Sequence, residues 1–221
     1  MSLFLRGFNW FKRFRHRCGY GVHSPSDFFF ITFVVYEKLE FYAYKPLHEL
    51  RQLVSSLPHH REKVDMLLFR VVNYLHPSSL LEIGTGSGLS TLYMHEAKPS
   101  MKVVSLDTAI STSVKKLFSS TSIDYSTMQS LNNHISKASS LSLVHIAHTD
   151  DYETILEQLL PYTGTKTCII VSKPYLTKAK AAWWKTVVED PRVGVTFDLY
   201  DLGLLFFDMK RIKEHRIVNF L

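Results

Sequence analysis

The chain has 221 residues, 46% of them hydrophobic and 21% charged, ordinary values for a globular protein that can bury a full core. Its formal charge of +6 permits an anionic partner without demanding one. Two cysteines, Cys18 and Cys168, are too few for a disulfide framework, and the longest apolar run, 28–36, is too short to span a bilayer.

Residues 3–14 read as an amphipathic helix, with Leu3, Phe4, Phe8, Trp10, Phe11 and Phe14 on one face and Arg6, Asn9 and Arg13 opposite. A basic, aromatic helix suits a lipid surface or a phosphate backbone. Packing onto its own domain or a sister subunit is the preferred expectation, because exposed apolar patches of that size are unusual. Ser24 is a good N-cap, Pro25 fits the first helical position and Asp27 complements the dipole, so a helix is expected over 25–44 with His23 in the loop before it. Further helices are expected over 46–56 and 61–75, the last stopped by His76-Pro77. Residues 1–77 thus read as an N-terminal helical cap.

From Leu80 the pattern alternates strand and helix, the mark of a parallel sheet with right-handed crossovers. The run Leu80-Leu81-Glu82-Ile83 enters Gly84-Thr85-Gly86-Ser87-Gly88, and a helical pattern (Leu89, Leu92, Tyr93) follows at once. This is a buried strand turning sharply into a helix. Glycine supplies positive φ there and lets a ligand approach, and the free N–H groups of the new helix face any anionic group above the turn. A dinucleotide fingerprint would place a third glycine where Leu89 stands, and a P-loop would place a lysine after Gly88. Further strands are expected at 103–107, 122–127, 142–148 and 167–172. Strands at 193–200 and 204–208, joined by Asp201-Leu202-Gly203, read as an antiparallel hairpin, completing a Rossmann-like domain over 78–221. The serine-rich segments 111–122 and 136–142 read as polar helices and loops. In such a sheet ligands sit beyond the carboxyl ends of the strands, so functional residues should cluster after Ile83, Leu106, Tyr125, Ile146 and Val171.

The spacing acidic-x-Gly-x-Gly-x-Gly-x-Ser from Glu82 to Ser90 resembles motif I of the class I S-adenosyl-L-methionine (SAM) methyltransferases. Glu82-x-Gly84-x-x-x-Gly88-x-Ser90 is similar to the form found in O-methyltransferases related to catechol O-methyltransferase. Gly21-Val22-His23-Ser24-Pro25, the run Leu67-Leu68-Phe69-Arg70-Val71-Val72-Asn73-Tyr74, Ser142-Leu143-Val144-His145-Ile146 with Tyr152-Glu153, Trp184, and Asp198-Leu199-Tyr200-Asp201-Leu202-Gly203-Leu204-Leu205-Phe206-Phe207 extend the resemblance to a bacterial subgroup along most of the chain. The resemblance implies the class I methyltransferase sheet and SAM as cofactor. It implies a binding site drawn from Glu82, Gly84, Thr85, Gly86, Gly88, Ser90, Asp107, Thr108 and His148, with Asp107 on the ribose hydroxyls and Ser90 on the cofactor carboxylate.

The chain also departs from the metal-using members of that family, which carry carboxylates after the fourth and fifth strands. Here those positions read Ile146-Ala147-His148 and Val171-Ser172-Lys173-Pro174, which argues against Mg²⁺, since an ammonium repels a divalent ion. His148 is a candidate general base or a neighbour of the adenine, and Lys173 either steers an anionic substrate or reaches solvent. Asp150 and Asp151 are expected to cap the helix starting near Tyr152. Ser172-Lys173-Pro174-Tyr175 is similar to the [DNS]-P-P-[YF] signature of adenine amino-methyltransferases, but it follows the fifth strand and Lys173 takes the place of the first proline. The expectation is a cytoplasmic, metal-independent O-methyltransferase acting on a small molecule, with a homodimer envisaged. The alternatives are a non-catalytic binder of SAM or S-adenosylhomocysteine (SAH) and a nucleic-acid methyltransferase.

Overall fold

The computed structural model describes residues 3–136 and 140–221; within the first helix, the side chains of Leu3, Phe4 and Leu5 lie outside the described set, as do residues 137–139 of the second serine-rich segment. Its centre is an eight-stranded sheet in the order β3-β2-β1-β4-β5-β7-β6-β8. The strands are β1 (Ser79–Ile83), β2 (Lys102–Asp107), β3 (Ile123–Thr127), β4 (Leu143–Ile146), β5 (Cys168–Ser172), β6 (Thr196–Asp198), β7 (Leu202–Phe206) and β8 (His215–Ile217). The first five are parallel, as the alternating pattern requires.

β6 and β7 form the expected antiparallel hairpin, with Asp198 opposite Gly203. Only β7 is reversed, however: it inserts between β5 and β6, antiparallel to both, so β6 runs with the first five strands. The edge strand β8, parallel to β6, was not legible in the sequence. It has three residues and exposed ends, so no apolar alternation announces it, and a short edge strand with an arginine is a common guard against further pairing.

Alternate strand residues feed two cores. Leu80, Val103, Leu143, Cys168 and Ile170 face a core shared with Phe30, Leu67, Leu68, Val71 and Tyr93. Leu81, Ile83, Val104, Val144, Ile146 and Val171 face a second one with Ile155, Leu159, Trp184 and Val187. The helices are α1 (Leu3–Lys12), α2 (Pro25–Phe30), α3 (Tyr44–Arg51), α4 (Glu62–Leu75), α5 (Leu89–Ala97), α6 (Thr112–Phe118), α7 (Leu131–Ser136), α8 (Tyr152–Leu159) and α9 (Lys178–Glu189). No described helix is long and apolar enough to cross a membrane.

Three helical expectations are corrected. The helix expected over 25–44 is α-helical only as α2, continues as a π-turn over Ile31–Val35 and leaves the helix at Tyr36. A β-branched run weakens it there, and the buried Arg70 guanidinium takes its last carbonyls, Nε bonding Val34 O at 2.7 Å and Nη2 bonding Val35 O at 3.2 Å. α3 begins at Tyr44 and tightens to a 3₁₀ turn over Gln52–Val54, where a helix over 46–56 was expected. α1 packs on its own domain, but through its polar face. Arg6 forks onto Asp201 at 3.1 and 2.7 Å, Asn9 Nδ2 donates to the Tyr200 hydroxyl at 3.0 Å, and Arg13 pairs with Asp198 at 2.8 Å. Phe8, Phe11 and Phe14 are left 53%, 75% and 51% exposed. Two carboxylates at the hairpin end need cations more than the aromatic rings need cover.

Candidate active site

The turn after β1 is held from above and below by protein. Gly84 (φ 89°) and Gly86 (φ 55°) are both in the left-handed region. A Cβ on Gly84 would lie 2.6 Å from the His148 backbone, and one on Gly86 would lie 2.5 Å from Pro58 O and 2.6 Å from His148 Cδ2. Ser87 N–H donates to Pro58 O at 2.8 Å, so the 57–60 segment roofs the turn. The glycines therefore admit the neighbouring chain as well as a ligand.

Beside the turn lies a cavity of about 300 Å³ lined by Gly84, Asp107, Thr108, Met128, His148, Thr149, Asp150 and Asp151. Asp107 ends β2 there. Its Oδ2 accepts from Gly86 N–H at 3.1 Å, and its Oδ1 from Thr108 N–H at 2.7 Å, which fixes the carboxylate at the cavity edge. Asp151 stands at the N-cap position of α8 without a side-chain cap bond, so the capping role expected of it is not made; with Asp150 it faces this cavity instead.

Glu82, Thr85 and Ser90 are placed elsewhere than the motif resemblance implies. They are buried beneath the turn, and their polar atoms are spent on one another and on the core. Glu82 accepts from Ser90 Oγ at 2.7 Å, from Ser105 Oγ at 3.0 Å, from Thr91 and from His145 Nδ1 at 3.0 Å, while Thr85 Oγ1 pairs with Ser105 Oγ at 2.8 Å. Burial alone would push the Glu82 carboxyl up; the bonds from His145, Thr91 and Ser90 outweigh it and hold it below the usual carboxylate range. Gly88 likewise packs against Phe118 and Val114.

His60 and His145 were missed. His145 is a polar residue at an inward position of a strand buried throughout, a signal that could have found it. His60 comes from the loop before α4, with nothing local to mark it. His145 Nε2 and Ser172 Oγ are 2.7 Å apart, Ser172 Oγ and His60 Nε2 3.3 Å, and the His60 ring stacks on His148 at 4.5 Å between centroids. Burial, then the neighbouring His145, His148 and Lys173, hold His60 well below its ordinary value; burial and Lys173 bring His148 down to about 4. Both are neutral imidazoles at physiological pH.

His60 also lines a second cavity of about 580 Å³, with Arg6, Arg61, Val64, Lys173, Tyr175, Leu176, Thr177, Lys178, Tyr200 and Asp201 among its walls. Lys173 is here, away from the first cavity. Its φ is 50° and its N–H donates to Asp201 O at 2.7 Å. The two cavities thus meet at the stacked pair of imidazoles.

At the ends of β4 and β5, Ala147 is buried, Ser172 Oγ is held by two imidazoles, and the Lys180 ammonium donates to Ser172 O at 2.9 Å. These donors do not fit a divalent cation. Among the described residues no three His, Cys, Asp or Glu side chains are grouped to hold a metal.

No family model matches the chain, and no curated protein matches its sequence. Solved structures do. An O-methyltransferase of Bacillus cereus in complex with SAH aligns over 79% of this chain and 95% of its own at 16% identity, with a TM-score of 0.60. An SAH-bound methyltransferase of Podospora anserina aligns over 73% and 87% at 16% identity, TM-score 0.59. The O-methyltransferase TomG of Streptomyces achromogenes, involved in tomaymycin synthesis and in complex with SAM, aligns over 76% and 91% at 14% identity, TM-score 0.58. Identities this low carry architecture and leave chemistry to the site. The chain therefore has the Rossmann-like fold of the methyltransferases whose first motif its glycine-rich turn resembles.

Proposed function

We propose that this protein is a SAM-dependent methyltransferase that methylates an oxygen of a small molecule without a divalent metal. The observation that carries the reading is the Asp107 carboxylate, anchored by Gly86 and Thr108 at the edge of a cavity beyond β1, β2 and β4. An acceptor carboxylate there suits vicinal ribose hydroxyls, and the turn beside it suits the amino-acid end of the cofactor. Asp107 and Thr108 would hold the ribose, Gly84 and the 84–88 backbone would border the sulfonium end, and His148 would flank the cavity wall. When bound, SAM supplies an activated methyl group, so the protein has only to align a nucleophile and take up a proton.

Asp107→Ala should weaken SAH binding at least tenfold by calorimetry, about 1.4 kcal/mol. Unchanged affinity would remove this site. The same titration on the wild type separates a catalyst from a silent binder when it is paired with a search for methyl transfer.

Metal independence follows from the strand ends. Ala147, Ser172, Lys173 and Lys180 offer no pair of carboxylates, and two ammonium groups oppose a dication. EDTA should leave methyl transfer unchanged; loss that Mg²⁺ restores would overturn this part and point to Asp150 and Asp151.

Arg6 and Arg13 are paired with Asp201 and Asp198, which leaves α1 fewer cations for phosphates and favours a small acceptor over nucleic acid. The outward aromatic face of α1 stays available to a second copy of the chain. The buried Cys168 thiol, its pKa pushed up by burial, is in keeping with a reducing, cytoplasmic setting.

A further inference from the structure

Resting on the methyl-transfer reading above, we infer that the 580 Å³ cavity holds the methyl acceptor, a small organic anion bearing an ionisable hydroxyl, and that His60 takes the proton from that hydroxyl.

The charge on the cavity wall sets the ligand class. Arg6, Arg61, Lys173 and Lys178 face it against a single carboxylate, Asp201, among the described residues. Arg6 and Arg61 are both tied to Asp201. Among the described residues Lys173 Nζ makes no ion pair or hydrogen bond, and burial pulls its pKa down against the more distant pull of Asp201 and Asp65. A half-buried ammonium with no direct partner, beside apolar walls, is relieved by an anion.

The hydrogen-bond directions assign the base. The Glu82 carboxylate only accepts, so a singly protonated His145 carries its hydrogen on Nδ1, 3.0 Å from Oε1. His145 Nε2 then accepts from the Ser172 hydroxyl at 2.7 Å. The Ser172 oxygen, its hydrogen so used, accepts from His60 Nε2–H at 3.3 Å. His60 Nδ1 is left with a lone pair, on a ring that lines the cavity.

Taken alone, His60 is a poor acceptor, since burial and its cationic surroundings disfavour a charge there. The chain of bonds supplies a remedy. When the acceptor O–H bond breaks and an N–H bond forms at Nδ1, His60 Nε2 passes its hydrogen to Ser172 and Ser172 passes its own to His145 Nε2. His60 and Ser172 each give one proton and gain one, while the acceptor loses one and His145 gains one. The electron pair stays on the acceptor oxygen, and the positive charge comes to rest on His145, beside Glu82. The acceptor's own negative group offsets Lys173, which makes the transfer easier still.

The probe is 4-hydroxy-3-nitrobenzoate, whose phenolate absorbs visible light. At a pH where the free probe is the phenol, wild-type protein should bind it and develop the phenolate band. Its neutral methyl ester should bind at least tenfold more weakly. Lys173→Asn, which tolerates the left-handed backbone, should weaken the acid probe about tenfold. His60→Asn should keep binding within about threefold but lose the band, and Ser172→Ala should lose the band with His60 intact. Ser172→Ala carries the test should His60→Asn fail to fold. Equal binding of acid and ester, a band that persists in both variants, or no uptake by wild type would overturn the inference. SAH titrated into the same samples keeps the two readings apart: binding of SAH without the probe removes this inference alone, and probe behaviour as expected without SAH binding removes the cofactor reading alone.

Discussion

Glu82→Ala should cost the fold on the order of 3–5 kcal/mol, the usual loss when one member of a buried charged network is deleted. Glu82 is fully buried, and the change would strand the hydroxyls of Ser90, Thr91 and Ser105 and the Nδ1–H of His145 in a dry site. It would also leave a cavity under the turn that carries Gly84 and Gly86. Urea denaturation reads the effect as a lower midpoint at unchanged slope. A midpoint within error of wild type would refute the anchoring role. The conservative Glu82→Gln keeps the volume but not the charge, so it isolates the pH-dependent share. Because the folded-state pKa of Glu82 lies below its unfolded value, its contribution is fully present above the ordinary carboxylate pKa of about 4.3. It is lost as pH falls from there through the depressed folded value. The gap between wild type and Glu82→Gln should therefore be widest at pH 7 and close on acidification; a gap that widened below pH 4 would reverse the assigned sign.

Gly86→Val should remove cofactor binding and cost about 3 kcal/mol or more, the sum of left-handed strain on a β-branched residue and a clash with backbone. The new Cβ would meet Pro58 O at 2.5 Å, and that carbonyl is held by Ser87 N–H at 2.8 Å. Relief therefore means lifting the 57–60 segment, which carries His60 away from Ser172 and His148. Gly86→Ala, with the same Cβ clash but less left-handed strain than a β-branched residue, should fall between. Calorimetry with SAH, alongside the denaturation midpoint, checks both parts. Binding within twofold of wild type in Gly86→Val would show that neither the turn nor its roof borders the ligand.

The strand–turn–helix at 79–97 was legible because its signals are local: an apolar run, glycines at set spacing, then a 3.6-residue period. Asp107 was legible for the same reason, as the residue closing the next strand. α1 misled because amphipathicity names two faces without saying which one meets the protein; the buried Asp198 and the partly buried Asp201, nearly the whole chain away, decided that. Motif spacing placed Glu82 and Ser90 near the turn but could not tell its upper side from its lower one, and the four donors converging on Glu82 come from α5, β2 and β4.

By itself, then, the sequence determined the alternating order of strands and helices, the glycine turn and the acidic residue beside it, all properties of contiguous residues. The three-dimensional packing alone decided that β7 reverses between β5 and β6, that Lys173 faces a second cavity, and that His60, Ser172 and His145 meet. Those are contacts between segments far apart in the chain, chosen by which buried polar groups find partners once the sheet has closed, and no local pattern encodes them.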